Sequence, residues 1–272
     1  MSEPSESAAQ LAPAPGKHRS AVRSLAPEVR RHLRDQLRSA RAQVLRDAEA
    51  FGAVVQVVER IGRLAGVDGH GMGDFKAAVV SISNKSSLAM SLPNRHPSFH
   101  MQFARLYELV QESRNLAVHD GALARNLTAR SIELALVLED ALMHDARIVG
   151  EYMIRGPITA EPWQPLSFVR QTMLAHSFSY LPVLMNDRPW QLVSDHALAA
   201  YLGTSDRRLR LRETLEEAKD NGLHLVDATA VESARPVQEL RPHMGAAPIL
   251  VTRSGDGHSK DLLGILTAFD LL

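Results

Sequence analysis

The C-terminal half of this chain contains an internal repeat, which constrains the fold more than any other feature of the sequence. Leu181–Leu184 (LPVL) resembles Ala247–Leu250 (APIL), 66 positions later. Gln191–Ser194 (QLVS) resembles Gly264–Thr267 (GILT), 73 positions later, and a longer hairpin loop in the second copy (SGDGHSKD) explains the difference. A small α/β unit leaves one sheet face exposed, and a second copy can cover that face. We therefore predict that two such units pack together as a pair.

A change of composition near Val149 predicts a domain boundary. After it, prolines and short β-rich runs alternate with helical segments, which is typical of an α/β unit. We predict β-α-β-β-α repeats at about 149–203 and 222–272. Residues 1–16, rich in Ser, Ala, Pro and Glu, are predicted to be a flexible tail, because they cannot bury enough apolar surface to offset the entropy of ordering.

The second repeat ends on the pattern Gly264, Ile265, Leu266, Thr267 and Asp270. Together with the preceding helix and L-P-V strand, this pattern resembles the CBS family, named from cystathionine β-synthase. The resemblance covers residues 149–272 and implies a tandem CBS pair that binds a regulatory adenine nucleotide such as AMP, ADP or ATP. It also implies that Asp270 accepts hydrogen bonds from the ribose hydroxyls and that Thr267 helps to hold a phosphate. The alternative is that Asp270 only caps its own turn.

The first repeat departs from this pattern at three positions. Gln191 stands at the glycine position, Ser194 at the threonine position and Ala197 at the aspartate position. Ser194 is therefore a third candidate ligand residue, because its hydroxyl can replace that of threonine. Ala197 cannot bind ribose, so the resemblance favours the second site over the first.

Residues 17–147 are predicted to form an all-helical domain. From Pro27, with Ser24 as a start signal, apolar residues recur every three or four positions, as in one amphipathic helix or two in sequence with a break near Gly52. The same spacing predicts helices over Phe99–Ser113 and Arg125–His144. The predicted fold class is thus multidomain, α followed by α/β.

Between the last two helices lies the segment ESRNLAVHDG, which contains Arg114, Asn115 and His119. It resembles the R-N-x-x-x-H motif of HEPN-type helical domains, many of which are ribonucleases. Pairs of Arg and His at this spacing also occur at Arg95–His100 and Arg253–His258, but only Arg114 is followed by Asn in a helical setting. The resemblance implies a catalytic site of Arg114, Asn115 and His119 formed across a homodimer.

The helical geometry agrees with a site shared by two subunits. Residues five apart on one helix are separated by about 140° around the axis, so Arg114 and His119 of one helix would not meet at one phosphate. Two facing copies could bring them together. His119 would then act as general base and acid on RNA and Arg114 would stabilise the phosphorane charge, with no metal or cofactor required. The alternatives are a non-catalytic HEPN-like dimerisation domain, or no relationship to that family.

Charge and composition bear on whether the chain holds disulfides, a metal site, a membrane segment or an RNA-binding surface. Lys+Arg and Asp+Glu both total 31, and the chain has no cysteine, which excludes disulfides and thiolate metal sites. We expect a cytoplasmic protein with no membrane segment and no metal site. Residues 17–47 hold nine Lys/Arg against three acids, which indicates an RNA-binding face or, more simply, a solvated helix face. The Arg207–Arg212 cluster either meets ligand phosphates between the repeats or forms a charged linking helix.

Overall fold

A computed structural model describes residues 22–117, 124–185, 189–203 and 206–272. The chain divides into two compact units, Met1–His144 and Asp145–Leu272. Among the residues described, no helix combines the length and the apolar character needed to cross a bilayer.

Helices make up the described regular structure of the first unit. They are α1 (Pro27–Arg46), α2 (Gly52–Leu64), α3 (Met72–Ser83), α4 (Ser87–Met90), α5 (Leu92–Arg95), α6 (Phe103–Ala117) and α7 (Ala124–Met143). A 3-10 turn, Ala48–Phe51, separates α1 from α2, and the side chain of Asp47 caps this turn by accepting a hydrogen bond from the Glu49 N–H. The long apolar stripe predicted from Pro27 therefore belongs to two successive helices.

One buried core holds these helices together. The face of α1 that carries Leu33, Leu37, Ala40 and Val44 is almost completely buried, and α1 packs against α2 and α7. The residues on that face are three or four positions apart, which places them on one side of the helix. Burial of this stripe is what stabilises α1, because propensity alone supports isolated helices only weakly.

In the first unit, one predicted start signal and one predicted helix start are wrong. Pro27 does occupy the first turn of α1, but Ala26 precedes it and no side chain caps the helix, so Ser24 has no capping role. The helix predicted from Phe99 begins instead at Phe103. Phe99 fits the spacing of that helix, yet its side chain is 84% exposed. Spacing in the sequence cannot show whether a ring reaches the core, and here it does not.

The second unit alternates short strands and helices. Its helices are α8 (Val149–Tyr152), α9 (Leu166–His176), α10 (Asp195–Gly203), α11 (Arg207–Arg210), α12 (Leu215–Asp220) and α13 (Val237–Leu240). Its strands are β1 (Ile154–Arg155), β2 (Tyr180–Val183), β3 (Gln191–Ser194), β4 (Val226–Asp227), β5 (Ala230–Glu232), β6 (Ile249–Thr252) and β7 (Leu262–Leu266). Two 3-10 turns, Arg241–His243 and Ala268–Leu271, follow α13 and β7.

Each sheet receives a strand from the start of the other repeat. One sheet has the order β1-β7-β6-β5 and the other has the order β2-β3-β4. Thus β1, at the start of the unit, pairs with β7 of the second copy, while β4, at the start of the second copy, pairs with β3 of the first. Because these strands are exchanged, neither sheet is complete without the other repeat.

The strand registers correct the alignment of the two repeats. Val183 lies opposite Gln191, and Val251 lies opposite Gly264. If Gln191 and Gly264 are equivalent, Val183 corresponds to Val251, an offset of 68 and not the 66 inferred from LPVL and APIL. The error is two residues, so it preserves the alternation of faces along the strand. It arose because Pro182 and Pro248 were aligned with each other, although only Pro182 lies inside a strand.

An apolar cluster joins the two sheets. Trp190, Leu192 and Leu250 are buried together, and side chains from both repeats surround them. The hairpin loop of the second copy lies over Trp190: the Gly257 carbonyl accepts a 2.7 Å bond from the Trp190 main-chain N–H, and the Ser259 carbonyl accepts a 2.8 Å bond from its indole. The longer loop of the second copy therefore links the two copies through its hydrogen bonds to Trp190.

Candidate functional site

The turn after β7 carries the two main ligand candidates, Thr267 and Asp270. The Asp270 carboxylate is buried, with 6% of the residue exposed. Its Oδ2 accepts 2.8 Å hydrogen bonds from both the main-chain N–H and the hydroxyl of Thr267. This arrangement caps the closing 3-10 turn, as the alternative interpretation of Asp270 required. It also fixes the carboxylate in one orientation.

An exposed aromatic residue belongs to the same turn. Phe269 precedes Asp270 and is 76% exposed. An exposed ring offers a stacking surface to a ligand. Sequence reasoning did not single out Phe269, because its position inside the motif pattern is variable and its exposure is a tertiary property.

The first repeat has a different polar arrangement at the equivalent turn. The Ser194 hydroxyl accepts a 3.1 Å hydrogen bond from the Ala197 N–H at the start of α10. Ser194 is 8% exposed and acts as a helix cap. Since Ala197 provides no carboxylate, this turn contains the hydroxyl of the motif without its acid. The structure thus leaves the second turn as the better equipped of the two.

The glycine position of the motif has a structural explanation. A Cβ atom on Gly264 would lie 2.6 Å from Met153 Sδ and 2.8 Å from the Ile154 carbonyl oxygen, so only glycine fits without strain where β1 pairs with β7. The equivalent Gln191 occurs where β4 pairs with β3. Its amide donates a 2.8 Å bond to Asp227 and accepts a 3.0 Å bond from Lys219. The presence of glycine in one copy and glutamine in the other therefore reflects which strand pairs with each position.

Two cavities occur in the described part of the second unit. The larger, about 550 Å³, lies between α9 and α10 of the first repeat, and its lining includes Arg170, Asp195 and Arg207. The smaller, about 330 Å³, lies at the ends of β5 and β6 and includes Glu232 and Arg235. Neither cavity is lined by Thr267, Asp270 or Ser194. The three predicted ligand residues and the two cavities are therefore separate features.

In the first unit, Arg114 is the one predicted catalytic side chain that the structure describes. It lies near the end of α6, is 40% exposed and has its Nη1 3.2 Å from Glu59 Oε1 on α2. The contact is an ion pair without good hydrogen-bond alignment. Asn115 belongs to α6 by its backbone, whereas its side chain and all of His119 lie outside the described residues. The structure consequently does not test whether the three side chains meet.

Glu59 is a residue that the sequence analysis missed. Its side chain is 12% exposed and it belongs to an otherwise apolar face of α2. A buried carboxylate is expected to have a partner, and this one is found far along the chain at Arg114. The signal in the sequence was the acid within the apolar run VVQVVERIG. Nearby, burial raises the pKa of Tyr107 far above its usual value, and the Glu59 charge adds to this effect.

The basic residues of α1 are largely engaged within the first unit. Arg38 and Arg41 both contact the Glu139 carboxylate on α7, with Nε–O distances of 3.5 Å and 3.1 Å. Arg34 is 1% exposed and its Nη2 lies 2.7 Å from Asp35. This arrangement favours a structural role for these three arginines over a free RNA-binding surface. Among the described residues no group of three or more His, Asp or Glu side chains could hold a metal ion.

The Arg207–Arg212 cluster is divided between different roles. Arg210 stacks over the Tyr201 ring at 4.3 Å and hydrogen-bonds to Tyr201 and Glu213. Arg207, by contrast, lines the cavity of the first repeat. Both side chains belong to α11, which follows α10 of the first repeat, so the cluster lies on a charged helix between the repeats and Arg207 also faces a cavity.

No family model matches this chain, and no curated protein matches it. Several solved structures are similar to part of it. AcuB from Vibrio cholerae is 24% identical, and the match covers 46% of this chain and 86% of that chain with a TM-score of 0.36. The CBS-domain containing protein ATU1752 from Agrobacterium tumefaciens is 16% identical, with coverage of 46% and 91% and a TM-score of 0.36. CBSX2, solved in complex with AMP, is 16% identical, with coverage of 46% and 92% and a TM-score of 0.35.

Proposed function

We propose that the second unit is a tandem CBS-type pair that binds a regulatory adenine nucleotide at Thr267 and Asp270. The observation that carries the proposal is the Asp270 carboxylate, buried and held by two hydrogen bonds from Thr267 at the end of β7. A carboxylate fixed before binding loses little conformational freedom when ribose hydroxyls donate to it. Phe269, exposed on the same turn, is the proposed stacking surface for the base.

The proposal assigns a lesser role to the first repeat. Ser194 could supply a hydroxyl to a phosphate, but no carboxylate accompanies it, because alanine occupies position 197. We therefore propose that nucleotide affinity depends mainly on the second repeat.

Calorimetric titration of the full chain tests this proposal. AMP, ADP and ATP are compared with GMP and with 2′-deoxy-AMP, using wild type, Asp270→Asn and the control Asp261→Asn. Asp261 is a suitable control because it lies on the hairpin loop, its side chain is 58% exposed, and it forms an ion pair with Arg253 at 2.7 Å. Loss of hydrogen bonds to a charged acceptor should weaken adenine nucleotides by about tenfold or more in Asp270→Asn, and Asp261→Asn should bind as wild type does.

The same titrations separate ligand binding from turn capping. If Asp270 contacts the ribose, wild type should bind 2′-deoxy-AMP more weakly than AMP. Asp270→Asn should bind the two nucleotides equally well. Tryptophan fluorescence of each sample shows whether the variant remains folded. The absence of nucleotide binding by wild type, or equal affinity of wild type and folded Asp270→Asn, would leave Asp270 as a turn cap alone.

We propose as a second candidate that the first unit is a metal-independent ribonuclease of HEPN type, active as a homodimer through Arg114 and His119. The observation in its favour is that Arg114 is partly exposed and lies 3.2 Å from the buried Glu59, so that its guanidinium is paired with a buried carboxylate and still accessible. The competing role, a structural ion pair in a non-catalytic dimerisation domain, uses the same contact. Control by the nucleotide would need a coupling free energy of about 1–3 kcal/mol between the two sites.

RNA cleavage in EDTA distinguishes these roles. Wild type, His119→Ala and Arg114→Lys are compared with the control Arg105→Lys, whose side chain is 52% exposed on α6. The ribonuclease proposal predicts cutting by wild type and by the control, loss of cutting in His119→Ala, and products with 2′,3′-cyclic phosphate ends. No cutting with or without an adenine nucleotide would support the binding role.

A further inference from the structure

The cavity of about 550 Å³ in the first repeat has the form of a binding groove between α9 and α10. Its apolar surface includes Met173, Leu198 and Leu202, which are 4%, 4% and 8% exposed. A space of this volume with a mainly apolar lining is within the range of small-molecule sites. It shares no lining residue with the Thr267–Asp270 turn, so it is a separate feature from the proposed nucleotide site.

The lining of the groove holds two basic residues and one acidic residue. Arg170 and Arg207 line it, and neither guanidinium forms an ion pair or side-chain hydrogen bond within the described ranges of the chain. Asp195 is the acidic residue of the lining, and its Oδ1 accepts a 2.6 Å bond from the His196 N–H. Two guanidiniums that no described residue pairs with lie beside an apolar groove, and this favours a ligand with an anionic head and an apolar body.

The groove is also particular to the first repeat. The eleven residues of α9 provide one of its walls, whereas α13, the equivalent helix of the second repeat, has four residues. The nine-residue α10 provides the other wall. The groove therefore does not follow from the repeat architecture itself.

We propose that this groove binds a small monomeric amphiphile with a carboxylate or phosphate head. The apolar tail lies against Met173, Leu198 and Leu202, and the head lies at Arg170 and Arg207. Burial of the tail supplies affinity because it removes apolar surface from water. The two guanidiniums supply the preference for an anion, because each can donate two hydrogen bonds to one head group.

Calorimetry on the full chain tests the proposal with decanoate and decyl phosphate, both kept below their micelle concentrations. Decyltrimethylammonium tests the need for negative charge, and butyrate tests the need for a tail. The variant Arg170→Gln/Arg207→Gln removes both cations, while Arg208→Gln/Arg212→Gln removes two exposed cations of the neighbouring cluster as a matched control. A third variant, Ala199→Trp, fills the groove from an exposed lining position without changing the core.

The expected result is that wild type and the control bind decanoate and decyl phosphate equally well. Arg170→Gln/Arg207→Gln should weaken both by about tenfold, since charge-assisted bonds to a partly exposed head are lost. Ala199→Trp should abolish binding, and decyltrimethylammonium and butyrate should not bind. Absence of decanoate binding, or equal binding by Arg170→Gln/Arg207→Gln, would overturn the proposal. So would light scattering that shows a wild-type dimer and an Ala199→Trp monomer, because a second copy would then cover the groove.

Discussion

Replacement of Gly264 by alanine should destabilise the second unit. The added Cβ would lie 2.6 Å and 2.9 Å from Met153 Sδ and Cγ, and 2.8 Å from the Ile154 carbonyl oxygen. The thioether can move, but the carbonyl belongs to β1, which pairs with β7 directly beside this position. The methyl group therefore has to displace one strand from the other.

The expected cost is about 1–2 kcal/mol. Overpacking of this kind costs about 1–3 kcal/mol, and the reduced freedom of alanine in the unfolded chain returns about 0.4–1 kcal/mol. Met153→Ala removes the side-chain part of the clash and leaves the carbonyl. In a double-mutant cycle, the cost of Gly264→Ala on the Met153→Ala background thus measures the contact with the Ile154 carbonyl.

Urea unfolding followed by tryptophan fluorescence measures this cost. The two tryptophans, Trp163 and Trp190, both belong to the second unit, so the signal reports on that unit. Gly245→Ala is the matched control, because a Cβ there meets nothing within 4 Å. It should leave stability unchanged or raise it slightly. Equal stability of Gly264→Ala and Gly245→Ala would refute the close approach of β1 and β7.

Three further predictions concern buried polar contacts. Tyr107→Phe should cost the first unit about 1–3 kcal/mol, because the Tyr107 hydroxyl donates a 2.7 Å bond to the buried Met72 carbonyl. Burial raises the pKa of Tyr107, so the wild type should also lose stability as the pH rises above about 10, where the unfolded tyrosine ionises. Tyr107→Phe should reduce this loss. Circular dichroism melts at several pH values measure both effects. Glu139→Gln should cost about 1–3 kcal/mol, since it leaves two arginines without their shared carboxylate, whereas the more exposed Glu133→Gln should change urea midpoints little; similar losses would contradict the importance of burial. Trp190→Phe should remove the 2.8 Å bond to the hairpin loop and speed proteolysis of that loop, and unchanged cleavage would argue against its linking role.

Local patterns in the sequence predicted much of the secondary structure. The helix expected over Arg125–His144 is α7, Ala124–Met143, because its apolar spacing coincides with burial against the core. The helix expected from Phe99 began too early, because the same spacing continued through residues that remain exposed. The two copies were found from short matching strings, but their alignment was wrong by two residues, since a strand register depends on pairing with a distant strand.

The candidate site was predictable as a set of residues and less so as an arrangement. The motif indicated Thr267 and Asp270, while only the structure placed one Asp270 oxygen between the N–H and hydroxyl of Thr267. Similarly, the sequence drew attention to Arg114, and its partner Glu59 became known only from the ion pair between α6 and α2. A pairing between residues so far apart in the chain leaves no local periodic signal.

The sequence by itself determined the features that depend on near neighbours in the chain. These are the apolar faces of the helices, the change of composition near Val149, the repeat and the motif that begins in β7. The tertiary structure alone decided the features that depend on distant segments, namely the exchange of β1 and β4 between the sheets, the glycine required at position 264 and the groove beside Arg170 and Arg207. The physical reason is that periodicity records which face of an element is apolar, whereas close approach and charge pairing depend on which elements meet in space.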